Sequence, residues 1–150
     1  MDFSGVEEIE TDECWRLLSE SALRTVGRLA LLVDGQVLIL PVGFGVADHK
    51  IIIRTHEGTI AARARSGEPM TFEVDSGHPC EGCGWSVVVR GRPHVVTDPT
   101  LASRMRQQPP FGWGSKHVWV RIDPESVTGR RVMWPLALTD RAREAAERNP

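Results

Sequence analysis

The chain has 150 residues, of which 41% are hydrophobic and 25% are charged, the ordinary composition of one globular domain with its own core. A formal net charge of −2 gives no indication of general nucleic-acid binding, and three cysteines argue against a secreted disulfide scaffold. No apolar run approaches the roughly 18 residues of a membrane helix, and no basic-then-apolar leader is visible. We therefore expect a single cytoplasmic domain over residues 1–150, with no membrane or nucleic-acid partner.

The first elements are a loose segment, a helix and a hairpin. Residues 1–10 lack periodicity and are expected to be a loose lead-in. Thr11 is placed as the N-cap of a short amphipathic helix over about residues 12–22. The apolar runs 26–33 and 36–42 are predicted strands, because the Asp-Gly pair between them is a strong hairpin signal.

The stretch Lys50–Gly67 is predicted to form a strand followed by a helix. Three consecutive isoleucines indicate a buried strand that ends at Arg54 and Thr55. Thr59 is placed as the N-cap of the helix, and Gly67 as its stop. A helix start attracts anions, and a guanidinium matches two phosphate oxygens, so this segment is a candidate phosphate-binding corner. The alternative is a surface arginine followed by an ordinary capped helix.

The second half is predicted to be mostly strands. Arg90-Gly91 is placed as a bulge in one bent strand, or at the junction of a strand pair. The predicted elements are a strand over 69–75, a loop over 76–84, a strand or strand pair over 85–97, a helix over 100–107, a loop over 108–116, strands over 117–122 and 127–134, and a helical tail within 139–150. Six or seven strands with short inserted helices predict a small antiparallel barrel.

Cysteine spacing gives one further candidate site. Cys80 and Cys83, with His78 beside them, have the spacing of half a zinc site. A closed zinc site needs four ligands, and Cys14 is expected on a distant helix. We therefore predict no metal and a reduced-thiol loop, although a histidine elsewhere in the chain could complete a site.

Trp113 stands between two glycines in a predicted loop. It is a candidate lid or stacking partner for a ligand, or equally a hydrophobic anchor. Neither the Gly-rich dinucleotide fingerprint nor the Walker-type lysine loop occurs in the sequence. A phosphate-bearing ligand would thus have to be held by a feature such as the Arg54–Thr59 corner.

Several segments taken together resemble the pyridoxamine 5′-phosphate oxidase-like family of flavin-binding split barrels, in its small actinobacterial-type branch. The resemblance covers roughly residues 10–133. The segments that carry it are PVGF (Pro41–Phe44), IIIRTHEGT (Ile51–Thr59), FEVD (Phe72–Asp75), GWSVVVRG (Gly84–Gly91), VTDP (Val96–Pro99) and HVWVRIDPESVTGRR (His117–Arg131).

The resemblance implies a six-stranded Greek-key barrel that forms a homodimer, with two FMN sites at the subunit interface. It implies that Arg54, Thr55 and Thr59 contact the cofactor phosphate. The remaining implied contacts lie beside the flavin ring or cover it: Pro41, Val42, Gly43, Trp85, Ser86 and Trp113. No catalytic residue is assigned.

Two positions depart from the family pattern. Ile60 stands where the family commonly has lysine in the phosphate pocket, and Gly43 stands where it often has asparagine. Loss of the lysine charge predicts weakened or altered FMN binding, and a deazaflavin coenzyme is an alternative. Ile60→Lys is expected to tighten FMN binding if residue 60 faces the phosphate, and to cost stability if Ile60 packs in the core.

The function implied by the resemblance is that of a flavin-dependent oxidoreductase, with hydride chemistry carried by the ring. The alternative on the same barrel is a non-enzymatic flavin- or haem-binding protein. A weaker third hypothesis is a zinc-stabilised interaction protein that uses the Cys80–Cys83 loop. The sequence does not identify the substrate, because a fold does not determine a function.

Overall fold

The computed structural model describes residues 5–22, 24–76, 83–98, 100 and 118–133. Within them the chain forms eight strands and two helices: β1 (Val6–Ile9), α1 (Thr11–Ser21), β2 (Gly27–Val33), β3 (Gln36–Val42), β4 (Phe44–Ala47), β5 (Lys50–Thr55), α2 (Thr59–Ser66), β6 (Met70–Asp75), β7 (Cys83–Val95) and β8 (Val118–Met133). Neither helix is long and apolar enough to span a membrane.

The strands pair in the order β3-β2-β6-β7-β8-β5-β4, and β1 adds to β8. Every pair is antiparallel. The 16-residue β8 organises the sheet, because β1, β5 and β7 all hydrogen-bond to it. The predicted class, a mainly β split barrel, is confirmed, with two short strands, β1 and β4, adding to the six expected.

The core lies inside the curved sheet and under α1. Alternation along β5 sends Ile51 and Ile53 into this core and Ile52 to the opposite face, where it packs with Trp119. Phe44 and Phe72 meet inside the barrel with ring centroids 4.8 Å apart. One face of β5 therefore packs in the core, and the other forms part of the outer surface of the sheet.

Two strands were not predicted from the sequence. The expected loose lead-in is wrong over Val6–Ile9, where β1 pairs with β8. The first three residues of β1 are all exposed, so the strand is held by backbone hydrogen bonds and carries no apolar alternation. The four residues of β4 continue directly from β3 and pair with β5.

A single strand replaces the two predicted over 117–122 and 127–134. Gly91 of β7 is opposite Pro124 and Arg90 is opposite Ser126, so Glu125 is the extra residue of a bulge. The bulge tolerates the missing N–H of Pro124. The Arg90-Gly91 position of the bulge is confirmed, although the extra residue lies on the partner strand. A Cβ on Gly91 would stand 2.1 Å from the Asp123 carbonyl oxygen, so only glycine fits there.

The predicted turns and helix ends are partly confirmed. Asp34 and Gly35 both have positive φ, as a tight hairpin requires. Gly67 ends α2 in the left-handed conformation, as expected. The threonine caps are wrong: Thr11 and Thr59 are the first helical residues of α1 and α2, and the N-caps are Glu10 and Gly58.

The predicted loop over 76–84 is wrong at its end, because β7 already begins at Cys83. Asp98 accepts a hydrogen bond of 2.8 Å from the Thr100 amide, as the side chain of an N-cap residue does. The predicted helix over 100–107, the loop over 108–116 and the tail within 139–150 lie outside the described residues, apart from position 100.

Candidate functional site

Arg54 lies at the end of β5 on the outer face of the sheet. Its register partner on β8 is Trp119, and its guanidinium lies 5.5 Å from the centroid of that indole ring. A cation over an aromatic face at this distance is attracted to the ring. The contact holds the arginine side chain on the outer face at the end of β5, a few residues before α2 begins at Thr59.

Thr55 points away from Arg54. It belongs to the opposite face of β5, is 8% exposed and pairs with Val118. Its hydroxyl has no hydrogen-bond partner within the described part of the chain. Although the residue is largely buried, its hydroxyl oxygen keeps some contact with solvent, so it can hydrogen-bond to a ligand at the end of β5. Arg54 and Thr55 can therefore share one ligand only beyond the last residue of the strand.

The N-terminus of α2 follows three residues after β5. Its N-cap is Gly58, and no side chain accepts a hydrogen bond from its first amides. These amides are free donors at the positive end of the helix dipole. Thr59 is exposed at this end of the helix, and its hydroxyl is a further group that can donate a hydrogen bond. The arrangement can hold an anion such as a phosphate group.

Glu57, the acidic residue next to this helix start, is paired with a basic side chain. Both Glu57 carboxylate oxygens accept hydrogen bonds of 2.7 Å from Arg65. This pairing lowers the pKa of Glu57, which therefore stays ionised and paired at neutral pH. Arg63 is similarly engaged with Glu68 at 3.0 Å. Repulsion of an anion by Glu57 is thus reduced by the charge of Arg65.

Ile60 does not face this helix start. Its side chain is 9% exposed and belongs to the hydrophobic core, with Ala61 and Ala64 of the same helix. Residue 60, where the family commonly has a phosphate-binding lysine, therefore packs in the core of this chain. This favours the core alternative that the sequence left open.

The end of β3 lies at the same end of the barrel as Arg54. Pro41 is exposed and pairs with Arg28, and Val42 is buried. Gly43 connects β3 to Phe44, whose register partner is Ile53. Gly43 and Arg54 each lie one residue beyond that pair, on the two neighbouring segments of the backbone. The segment predicted to contact the ring and the phosphate corner are therefore neighbours.

Trp85 and Ser86 lie elsewhere. They are at the start of β7, where Ser86 pairs with Asp75 of β6. The part of β7 near Arg54 is Val95, opposite Val120, ten positions along the strand. At a rise of ~3.3 Å per residue the separation is up to about 33 Å. Within one chain, Trp85 and Ser86 therefore do not lie at the Arg54 corner.

A cavity lies beside Trp85 at that other end of the barrel. It has a volume of about 450 Å³ and runs between the end of α1 and the β6–β7 edge. The Trp85 amide donates a 3.3 Å hydrogen bond to Ser76 Oγ. The residues that line the cavity include Leu17, Glu20, Arg24, Asp75 and Trp85.

A second cavity, which sequence reasoning missed, lies on the outer face. It has a volume of about 210 Å³ and is lined by Ala47, Lys50, Ile52, Asp98 and Arg121, among others. An adjoining cavity of about 290 Å³ shares Asp98 and Arg121. The signal in the sequence is the period of two: Lys50, Ile52 and Arg54 fall on one face of β5.

Arg121 is fixed by a neighbour on its own strand. Its Nε lies 2.7 Å from Asp123 Oδ1 without hydrogen-bond geometry, so that contact is electrostatic. Its Nη2 donates a 2.9 Å hydrogen bond to Oδ2 of the same carboxylate. His94 Nε2 lies 3.3 Å from that oxygen. Asp123 therefore compensates the Arg121 charge at the cavity wall.

The remaining candidates carry no site in the part of the chain that the structure describes. Trp113, His78 and Cys80 lie outside it, and Cys83 is the first residue of β7. No three metal-binding side chains come together among the described residues. Burial raises the pKa of the Cys14 thiol, so this core cysteine is not an activated nucleophile.

Comparison with known proteins identifies the family. The family model described as pyridoxamine 5′-phosphate oxidase matches residues 10–131, which include every described element except β1 and the end of β8. The chain belongs to the pyridoxamine 5′-phosphate oxidase family. In this family the chain is 34% identical over 134 residues to the uncharacterized protein Rv0080 of Mycobacterium tuberculosis, covering 85% of this chain and 86% of that protein.

Solved structures of similar proteins share the fold. An FAD-binding protein from Mycobacterium smegmatis is 31% identical with a TM-score of 0.70, covering 85% of this chain and 98% of its own. An FAD-binding protein from Mesorhizobium loti is 26% identical with a TM-score of 0.65, covering 84% of this chain and 96% of its own. The family resemblance predicted from the sequence is confirmed.

Proposed function

We propose that this protein binds a flavin cofactor and places the cofactor phosphate at the corner between β5 and α2. The observation that carries the proposal is the α2 N-terminus, which has no side-chain cap and closely follows Arg54 and Thr55 in the chain. Free amides, a guanidinium and a hydroxyl are the donors that a phosphate needs. Two relatives of similar fold that bind FAD support a flavin as the ligand.

The activity we propose is that of a flavin-dependent oxidoreductase. The bound ring, in FMN, FAD or a deazaflavin, supplies hydride chemistry. The chain's part is to orient the ring: the Pro41–Gly43 backbone lies next to the phosphate corner, where a ring attached to that phosphate can reach it. The second candidate is a flavin carrier without turnover, since we assign no catalytic acid or base among the described residues.

The proposed site is shared by two protomers. Trp85 and Ser86 are up to about 33 Å along β7 from the Arg54 end of the barrel, so both sets contact one flavin only if they come from different copies. A two-fold dimer would then form two equal sites. The exposed face of the β2–β3 hairpin supports a homodimer, because Leu32, Val37 and Ile39 are 56%, 69% and 61% exposed on it.

Arg54→Ala tests the phosphate corner. We expect FMN affinity to fall by about 1.5–3 kcal/mol, from lost charge-assisted hydrogen bonds, while riboflavin, which has no phosphate, loses much less. Arg90→Ala, which removes an exposed cation on β7, is the matched control and should change neither. Fluorescence titration of both ligands measures the affinities, and thermal melting of each free variant reports any structural loss.

Equal losses for FMN and riboflavin would contradict the phosphate role of Arg54. The absorbance spectrum of the purified protein tests the cofactor, because flavin peaks and a haem Soret band are distinct. Reduction of the bound flavin by a nicotinamide donor, followed by reoxidation with turnover, separates an oxidoreductase from a carrier. Absence of turnover with every electron acceptor tried would favour the carrier.

A further inference from the structure

The second cavity lies on the same face of β5 as Arg54. Alternation places Lys50, Ile52 and Arg54 on the same side of β5, and the cavity is lined by the first two. The four positions from Arg54 to Lys50 correspond to ~13 Å. A ligand anchored by a phosphate at Arg54 therefore needs only a short extension to enter this cavity.

The cavity is lined by two carboxylates, Asp48 and Asp98, and by the cations Lys50 and Arg121, so its wall is weakly acidic once Arg121 is paired with Asp123. Lys50 makes no ion pair with any described residue, and Arg121 is compensated by Asp123. Asp98 contributes an exposed carboxylate, and Ala47 with Ile52 provides an apolar floor. Such a wall suits a neutral group with hydroxyls and a flat apolar face better than a second isolated anion.

We propose that this cavity holds the adenosine of FAD, with the pyrophosphate near Arg54. This inference rests on the proposed flavin function and specifies which flavin the site prefers. The Asp98 carboxylate accepts hydrogen bonds from the ribose diol, and the base packs on Ala47 and Ile52. The Lys50 residue lies at the opposite end of β5 from Arg54, on the side of the cavity away from the pyrophosphate. At about 210 Å³ the cavity is smaller than the ~300–1,000 Å³ of pockets for whole ligands, which fits one nucleoside rather than a dinucleotide.

Titration of FAD and FMN against the parent and two variants tests the proposal. Ala47→Phe fills the cavity, and Asp98→Asn removes the carboxylate charge while keeping the oxygen that accepts from the Thr100 amide. Ser126→Phe, at an exposed position on β8, is the control for adding the same ring elsewhere. Thermal melting checks that each variant folds.

We expect the parent to bind FAD at least tenfold more tightly than FMN. Ala47→Phe should reduce FAD affinity to that of FMN and leave FMN affinity within twofold, and Asp98→Asn should weaken FAD alone by three- to tenfold. Equal affinity of the parent for FAD and FMN, or equal loss of both in Ala47→Phe, would overturn the adenosine site while keeping the flavin function. Binding of neither flavin would overturn both.

Discussion

Residue 60 shows how one side chain decides between two interpretations of the site. Ile60 belongs to the core and is 9% exposed, although the family commonly has a phosphate-binding lysine at this position. We predict that Ile60→Lys lowers the free energy of unfolding by ~2–4 kcal/mol, because it buries a charge and removes packing. Ala62→Lys, exposed in the same turn, is the matched control and should leave stability nearly unchanged. Urea unfolding measures both.

The same two variants test where a lysine can reach the phosphate. We expect neither to tighten FMN by more than the weak, salt-dependent gain of a nearby surface charge. Ile60→Lys with unchanged stability and FMN binding tighter by 1.4 kcal/mol, a factor of about ten, would show that the phosphate pocket retains the family geometry. That result would mean that residue 60 can turn outward when a ligand is present.

The start of α2 offers a test of the phosphate corner that leaves Arg54 unchanged. Gly58→Asp places a carboxylate at the N-cap, where it accepts hydrogen bonds from the amides proposed to hold the phosphate. We predict a gain in stability of up to about 1 kcal/mol for the free protein, and weaker FMN binding by a similar or larger amount, because the carboxylate competes with and repels the phosphate. Gly35→Asp is no control, since it changes a hairpin turn.

Gly58→Ala is the control for Gly58→Asp, because a Cβ there meets nothing within 4 Å and the new side chain accepts no hydrogen bond. Thermal melting and titration of FMN and riboflavin check the prediction. A Gly58→Asp variant that melts higher but binds FMN as the parent does would place the phosphate away from α2.

The elements that were predicted correctly are those with a signal in their own short stretch of sequence. The Asp34-Gly35 pair predicted the β2–β3 hairpin, because its positive φ angles are those that these residues favour. The isoleucine run and Gly67 predicted β5 and the end of α2. β1 could not be predicted, because its stability comes from pairing with residues 129–132, far along the chain.

The long β8 shows the opposite error. Pro124 and its polar neighbours are typical of a turn, so the sequence predicted two strands there. Tertiary pairing overrides this preference: Glu125 forms a bulge opposite Arg90-Gly91, and β8 continues to Met133. The prediction of the candidate site was limited in the same way, since the corner at Arg54 is local in sequence, whereas the Lys50–Arg121 cavity exists only after β5 and β8 pair.

The length of β7 limits which of the proposed flavin contacts a single chain can make. The family resemblance implies that Arg54 and Trp85 contact one flavin, but the 13-residue β7 sets them at different ends of the barrel. The distance between Arg54 and Trp85 could not be predicted from the sequence, because it depends on the register in which the strands pair. A shared site also needs a surface for the second copy, and the apolar outer face of the β2–β3 hairpin is the largest exposed apolar group among the described residues.

Mixed dimers test the shared site directly. If Arg54 of one protomer and Trp85 of the other contact the same flavin, then Arg54→Ala and Trp85→Ala homodimers each have two defective sites. A heterodimer of the two variants has one site with both changes and one site with neither. We predict that heterodimers purified through two different affinity tags bind about one flavin per dimer with parental affinity, since distant changes do not perturb the intact site.

Sedimentation establishes that the purified species is a dimer, and fluorescence titration counts its tight sites. A heterodimer of the parent with the Arg54→Ala variant is the control, and it should also have one intact site. A site contained in one protomer gives a different pattern: each protomer of the mixed dimer then carries one defect, and no tight site forms. The number of tight sites per dimer therefore separates the two arrangements without knowledge of the substrate. An intact site can form in the mixed dimer only if each site takes residues from both protomers, because each variant alone has no intact site.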